Sequence, residues 1–157
     1  MRFSHDVGRP LTAGECAIAG SIFGAALDLD AVRIHHAKWW PFQPRNTVMA
    51  PDGHIWFHPD DGLWHDDFAG APVRLQALFV HELAHAWQHQ NGLWLLVRRH
   101  PFCRYDYSVQ PGRPLTRYGI EQQAMIVEQA FSARQAGRPD ATLEALLAEA
   151  GLQSLGR

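Results

Sequence analysis

Phe79-Val80-His81-Glu82-Leu83-Ala84-His85-Ala86-Trp87-Gln88-His89, residues 79–89, is the stretch around which the rest of this 157-residue chain is organised. His81, Glu82 and His85 spell H-E-x-x-H within a helix-favouring, apolar run. Helical residues four apart share a face, so both imidazoles can reach one metal ion. Glu82 lies one residue further round, close enough to act on a water held there. On a wheel at about 100° per residue, His81, Glu82, His85, Gln88 and His89 share an arc. Phe79, Val80, Leu83, Ala84, Ala86 and Trp87 cover most of the remainder, which predicts a buried helix. Its polar stripe must then be satisfied internally, because unpaired buried polar groups are costly, and a metal would do so.

The helix is expected over about 71–90, stopped by Asn91-Gly92, a good C-terminal cap. Upstream, Thr12-Ala13-Gly14-Glu15 fits a capping box and opens a helix over roughly 13–24. Small residues there (Ala17, Ala19, Gly20, Ala25) permit close packing. Residues 31–36 alternate loosely and read as a strand. Residues 46–50 and 54–58 flank Pro51-Asp52-Gly53, the best hairpin signal in the chain. Residues 93–97 fit a short strand or a helical turn equally well, and 98–114 read as an irregular crossing. Further helices are expected over 118–135, ending near Gly137, and over 141–150, with Leu143, Leu146 and Leu147 on one side.

Composition narrows the classes. Hydrophobic residues at 46% and charged residues at 19% describe a globular chain, of a length that suits one domain over residues 1–157. A formal net charge of −2 argues against nucleic acid or an anionic membrane as a bulk electrostatic partner. No run approaches transmembrane length, and no apolar core follows the start Met1-Arg2-Phe3-Ser4-His5-Asp6 as in a Sec signal peptide. The expectation is a cytoplasmic chain, exported only if a dedicated secretion system carries it. Cys16 and Cys103 form no C-x-x-C pair and read most simply as free thiols.

Two imidazoles need a third ligand. His89 continues the i, i+4, i+8 series, but it lies about 12 Å along the axis from His81, and zinc bonds of about 2.0–2.1 Å cannot gather all three. His89 is therefore expected at the rim. The better candidate is Glu121, in Tyr118-Gly119-Ile120-Glu121-Gln122-Gln123-Ala124, with Glu128 two turns on as the alternative. H-E-x-x-H followed by a helical E-x-x-A resembles the gluzincin group of zinc metallopeptidases. The resemblance implies Zn2+ held by His81, His85 and Glu121, with Glu82 as the general base. It departs at Met125, where the group has an acidic or amide residue; Gln122 or Gln123 is the expected substitute.

A closer resemblance spans roughly residues 11–136. Leu11-Thr12-Ala13-Gly14-Glu15, Met49-Ala50-Pro51-Asp52-Gly53, residues 79–88 and residues 118–124 are similar to small bacterial proteins related to Vgr, the spike proteins of type VI secretion and Rhs elements. That resemblance implies a link to secretion and a Vgr-type partner. The fold expected is α+β, a zincin-like minidomain with an active-site helix, a small sheet including a hairpin, and a second ligand-bearing helix. The leading function is hydrolysis of a peptide or protein substrate. Zinc would lower the pKa of its water to about 7, and Glu82 would pass a proton to the leaving amine. Candidates for the oxyanion donor or rim are Tyr105, Tyr107, Tyr118 and His100. The alternative is a non-catalytic adaptor that keeps the fold and binds a Vgr-type partner. Intact Glu82 favours the enzyme, since an idle site has no chemical need for it.

Other features are expected to be structural. Adjacent His35 and His36 should point to opposite strand faces. His58 and His65 with Asp60, Asp61, Asp66 and Asp67 lack ligand spacing. Trp39-Trp40-Pro41-Phe42 is expected to cover the core, and Arg98-Arg99-His100 to form a solvated loop.

Overall fold

A computed structural model describes residues 7–93 and 107–155. Within them lie four α-helices and a two-stranded parallel sheet, so the architecture is the expected α+β. The helices are α1 (Ala13–Phe23), α2 (Val73–Gln90), α3 (Ile120–Gln135) and α4 (Ala141–Glu149). The strands are β1 (Ile34–His35) and β2 (Ile55–Trp56).

Helix α1 starts at the predicted capping box. The Glu15 amide donates to Thr12 Oγ1 at 3.1 Å, and Glu15 Oε2 accepts from the Thr12 amide at 2.9 Å. Glu15 is fully buried, so its carboxylate needs more partners than a cap provides. It finds them in the Arg9 guanidinium, with two contacts of 2.8 Å, and in the Phe68 amide at 2.9 Å. This fastens α1 to the 3-10 turn Phe68–Gly70 that leads into α2. A β-carbon added at Gly14 would lie 2.5 Å from the Ala69 methyl, so close approach requires glycine there.

The Pro51-Asp52-Gly53 turn forms, but the hairpin around it shrinks to one antiparallel bridge, Met49 with Trp56. β2 instead pairs in parallel with β1, in the register Ile34 with Ile55 and His35 with Trp56. The amides of Ile55 and Phe57 donate to the carbonyls of Arg33 and His35 at 2.9 and 2.8 Å. Trp56 faces the other way and exchanges both bonds with Met49. Parallel strands need a long connection, which residues 36–54 supply. The expected strand over 31–36 is shorter because Leu29–Ala31 forms a 3-10 turn. His35 stacks on Trp56 at 3.6 Å and His36 on Trp64 at 4.4 Å, so the neighbouring rings do take different partners.

The core joins α1, the strands and α2 through Ile22, Phe23, Ile34, Ile55 and Leu83. A column of rings, Phe57 on Phe68 and Phe68 on Phe79, runs through it at 5.0 and 5.2 Å. Every residue of α2 from Phe79 to Gln88 is buried, which places its polar stripe inside the protein. The helix stops as predicted: the Leu93 amide reaches the Gln88 carbonyl, and the Gly92 amide reaches that of His89, with Gly92 at φ 81°. That pairing is the Schellman motif, for which glycine is the favoured residue. A further expectation fails. Trp40 and Phe42 form an edge-to-face pair and are 42% and 78% exposed, so this aromatic segment does not cover the core.

Candidate metal centre

Helices α2 and α3 pack against each other more extensively than any other pair, in antiparallel sense. His81 meets Glu128, His85 meets Glu121, and Gln88 meets the Ile120 carbonyl. Glu121 and Glu128 are two turns apart on one face of α3, as His81 and His85 are one turn apart on α2. The contact therefore sets two carboxylates against two imidazoles. Glu121 Oε2 lies 3.3 Å from His81 Nε2 and 3.3 Å from His85 Nε2. Ligand atoms of His81, His85 and Glu121 all fall within 4.8 Å of one another, and among the described residues this is the group that could hold a metal ion.

Each imidazole is held from behind. His81 Nδ1 is 2.8 Å from Glu128 Oε2, and His85 Nδ1 is 2.8 Å from Gln88 Oε1. Anchoring Nδ1 leaves Nε2 for a metal, the usual way in which ligating histidines are oriented. Burial by itself would lower the pKa of His81, but the carboxylates of Glu121, Glu128 and Glu82 outweigh it and push the ring up to about 10. The site thus calls for a positive charge. Two buried atoms support a metal in that role, because His85 Nε2 and Glu82 Oε2 have no hydrogen-bond partner. In a dry interior such orphans are costly unless something binds them. The donor set, two imidazole nitrogens and a carboxylate oxygen, suits a borderline cation.

No family model matches the sequence. The type VI secretion system spike protein VgrG2b of Pseudomonas aeruginosa is 38% identical to it over 135 residues. That alignment takes in 80% of this chain and 13% of the length of the spike protein, so this chain corresponds to a small part of it. The solved effector domain of P. aeruginosa VgrG2b is 34% identical and superposes with a TM-score of 0.79, over 90% of this chain and 83% of the other. This chain belongs to the VgrG2b effector-domain family. The Vgr resemblance seen in residues 11–136 is thereby borne out.

The other candidates in this VgrG2b-family fold lie as follows. Glu128, the alternative ligand, is placed on His81 Nδ1 instead. It supplies the support that Met125 cannot, one turn further along α3 than expected. Gln123 supports Gln88, whereas Gln122 accepts from the Gly119 amide at the start of α3. His89 is exposed, with its ring against Gly53, away from the cluster. Tyr118 is buried and its hydroxyl oxygen accepts from the Gln110 amide. The Tyr107 hydroxyl donates to Gln129. Both hydroxyls are thus engaged in local structure. Tyr105 and His100 lie outside the described residues, as do Arg98, Arg99 and Cys103. The aspartates of the 60–67 loop serve its turns: Asp61 accepts from Leu63, Asp66 from the Trp64 indole, and Asp67 from Ala69 and Thr12. His58 accepts the Asp60 amide.

Sequence reasoning missed the part played by Gln88. It shares the arc of the two histidines and follows His85 by three residues, which was the available signal. A cleft of about 950 Å³ reaches the centre at Glu121, Gln88 and Gln123. Trp87, Tyr118 and Ala150 form other parts of its wall, whereas Glu82 does not line it.

Proposed function

We propose that this chain is a zinc-dependent hydrolase of peptide bonds, a metallopeptidase of gluzincin type. One observation carries the reading. A three-donor cluster sits beside a buried carboxylate, Glu82, that has an orphaned oxygen. Tetrahedral zinc with bonds of about 2.0–2.1 Å requires donors about 3.3 Å apart. Both distances from Glu121 Oε2 to the imidazole nitrogens are 3.3 Å. Three protein donors are the number with which catalytic zinc sites would keep a position for water or substrate.

When bound, zinc supplies Lewis acidity that activates water and polarises a carbonyl. Glu82, one residue from the ligand His81, takes a proton from the attacking water and returns it to the leaving amine. His81 and His85 are held for their task by Glu128 and Gln88. The cleft that reaches Glu121 is the approach for an extended peptide.

Kinship with a spike-protein effector domain supports delivery by a type VI secretion system and association with a Vgr-type partner. Among the described residues no helix is long and apolar enough to cross a membrane. A second reading, a zincin-fold adaptor without catalysis, draws on the absence of Glu82 from the cleft wall. The test is Glu82→Gln in the zinc-loaded chain, assayed on a peptide library. Cleavage by wild type should fall by at least about 100-fold, the scale of a lost general base, with zinc still bound. A wild type that cleaves nothing in the library would support the adaptor.

A further inference from the structure

The geometry points to a buried amide relay, Tyr118 carbonyl to Gln123 to Gln88 to His85, which sets the tautomer of His85 and makes Gln88 its positioning residue. This rests on the metal reading above, and deepens it by assigning the group that presents the His85 lone pair.

The two ends of an amide side chain look alike in shape, so its orientation must come from its partners. For Gln88 the partners decide it. Its Nε2 lies 2.9 Å from the Ile120 carbonyl oxygen and 3.0 Å from Gln123 Oε1, two acceptors that together use both of its hydrogens. Gln123 is fixed in the same way, since its Nε2 donates to the Tyr118 carbonyl at 2.9 Å and turns its Oε1 towards Gln88. With its nitrogen committed, Gln88 can offer His85 only an oxygen, 2.8 Å from Nδ1. An amide oxygen accepts and cannot donate, so Nδ1 must carry the hydrogen. A neutral imidazole with Nδ1–H has its lone pair on Nε2, the atom 3.3 Å from Glu121 Oε2.

Solvent cannot readily scramble this order: Gln88 and His85 are 0% exposed and Gln123 is 5% exposed. Flipping one amide would set oxygen against oxygen at the next link, and each unpaired buried group costs about 1–3 kcal/mol. The relay is anchored on the carbonyls of Tyr118 and Ile120, which flank the turn that brings in Glu121. The segment that delivers the third donor therefore also prepares the second. His81 differs, because a carboxylate, Glu128, holds its Nδ1.

Two measurements test the relay. In the metal-free wild-type chain, nitrogen chemical shifts of histidine should show hydrogen on Nδ1 of His85. A bare Nδ1 with the hydrogen on Nε2 would overturn the proposal whether or not the protein uses a metal. In Gln88→Leu, affinity for Zn2+ or Co2+, read by chelator competition, should fall about 10- to 100-fold, as for lost support of a ligating histidine. Far-ultraviolet circular dichroism should remain native. If that variant does not fold, Gln123→Leu serves, since it leaves Gln88 beside His85 but removes one of the two acceptors that orient its amide. It should weaken Zn2+ by several-fold and populate both tautomers. Affinity within twofold of wild type in a folded variant would refute the relay. A wild type that binds neither metal would sink the metal reading, leaving the tautomer measurement to judge the relay alone.

Discussion

The charge balance of the centre makes a sharp prediction for the metal-free protein. The surrounding carboxylates lift His81 from an ordinary 6.5 to about 10, against its burial. Unfolded, the same ring loses its proton near 6.5. Between those values the folded chain holds a proton that the unfolded chain does not, so stability must fall as pH rises. The contribution is fully present below about pH 6.5 and is lost as pH climbs through about 10. A difference of that size corresponds to a ceiling of about 5 kcal/mol, reached only if the cluster does not rearrange as the proton leaves. The assay is urea denaturation of chelator-treated protein from pH 6 to 10. His81→Gln serves as the control, because it has no proton to lose. Wild type should lose several kcal/mol across the range, the control much less. One equivalent of Zn2+ should flatten the wild-type curve, since the ion then replaces the proton. Equal pH dependence in wild type and His81→Gln would show that His81 holds no such proton.

Two predictions concern the frame around the site. Arg134 and Glu144 form a two-point ion pair at 2.7 and 2.8 Å, and Arg134 also donates to the carbonyls of Ser21 and Gln153. Arg134→Leu should cost about 1–3 kcal/mol, because it leaves the Glu144 carboxylate with only the Leu155 amide, and should lower Tm by about 2–12 °C in a calorimetric melt. The double variant with Glu144→Leu should recover much of that loss. Glu144 is held below the usual carboxylate range by Arg134, so the pair stabilises at neutral pH and its contribution is lost as pH falls through that lowered value. Gly53 has φ 84°, and a β-carbon there would lie 2.6 Å from the His89 ring. Gly53→Ala should destabilise by about 1–3 kcal/mol, measured by urea denaturation. Adding His89→Ala should relieve the steric part while leaving the backbone part.

How far the sequence could be read depended on the range of the interaction. The H-E-x-x-H register and its buried setting were legible because they follow from the helical period and the apolar remainder of residues 79–89. Caps were equally local, as Thr12 with Glu15 and Asn91 with Gly92 show. Glu121 and Glu128 were harder to separate. They share one face of α3, and only the packing register against α2 puts Glu121 between the imidazoles and Glu128 behind His81. Gln88 lay in view on the same arc, but its role depends on the distant Ile120 carbonyl and on Gln123. The hairpin signal captured the turn at Asp52 and missed the parallel partner, because β1 lies beyond a long connection that no local pattern encodes. Trp40 and Phe42 had the composition of core residues, and nothing local marks their exposure.

The zinc centre proposed for His81, His85 and Glu121, between α2 and α3, can be checked by elemental analysis of the purified chain after removal of loosely bound ions. Wild type should retain about one zinc per chain, while His81→Ala and Glu121→Ala should retain almost none and Glu82→Gln should retain it in full. A folded wild type without metal, unable to take up Zn2+ from solution, would rule that centre out.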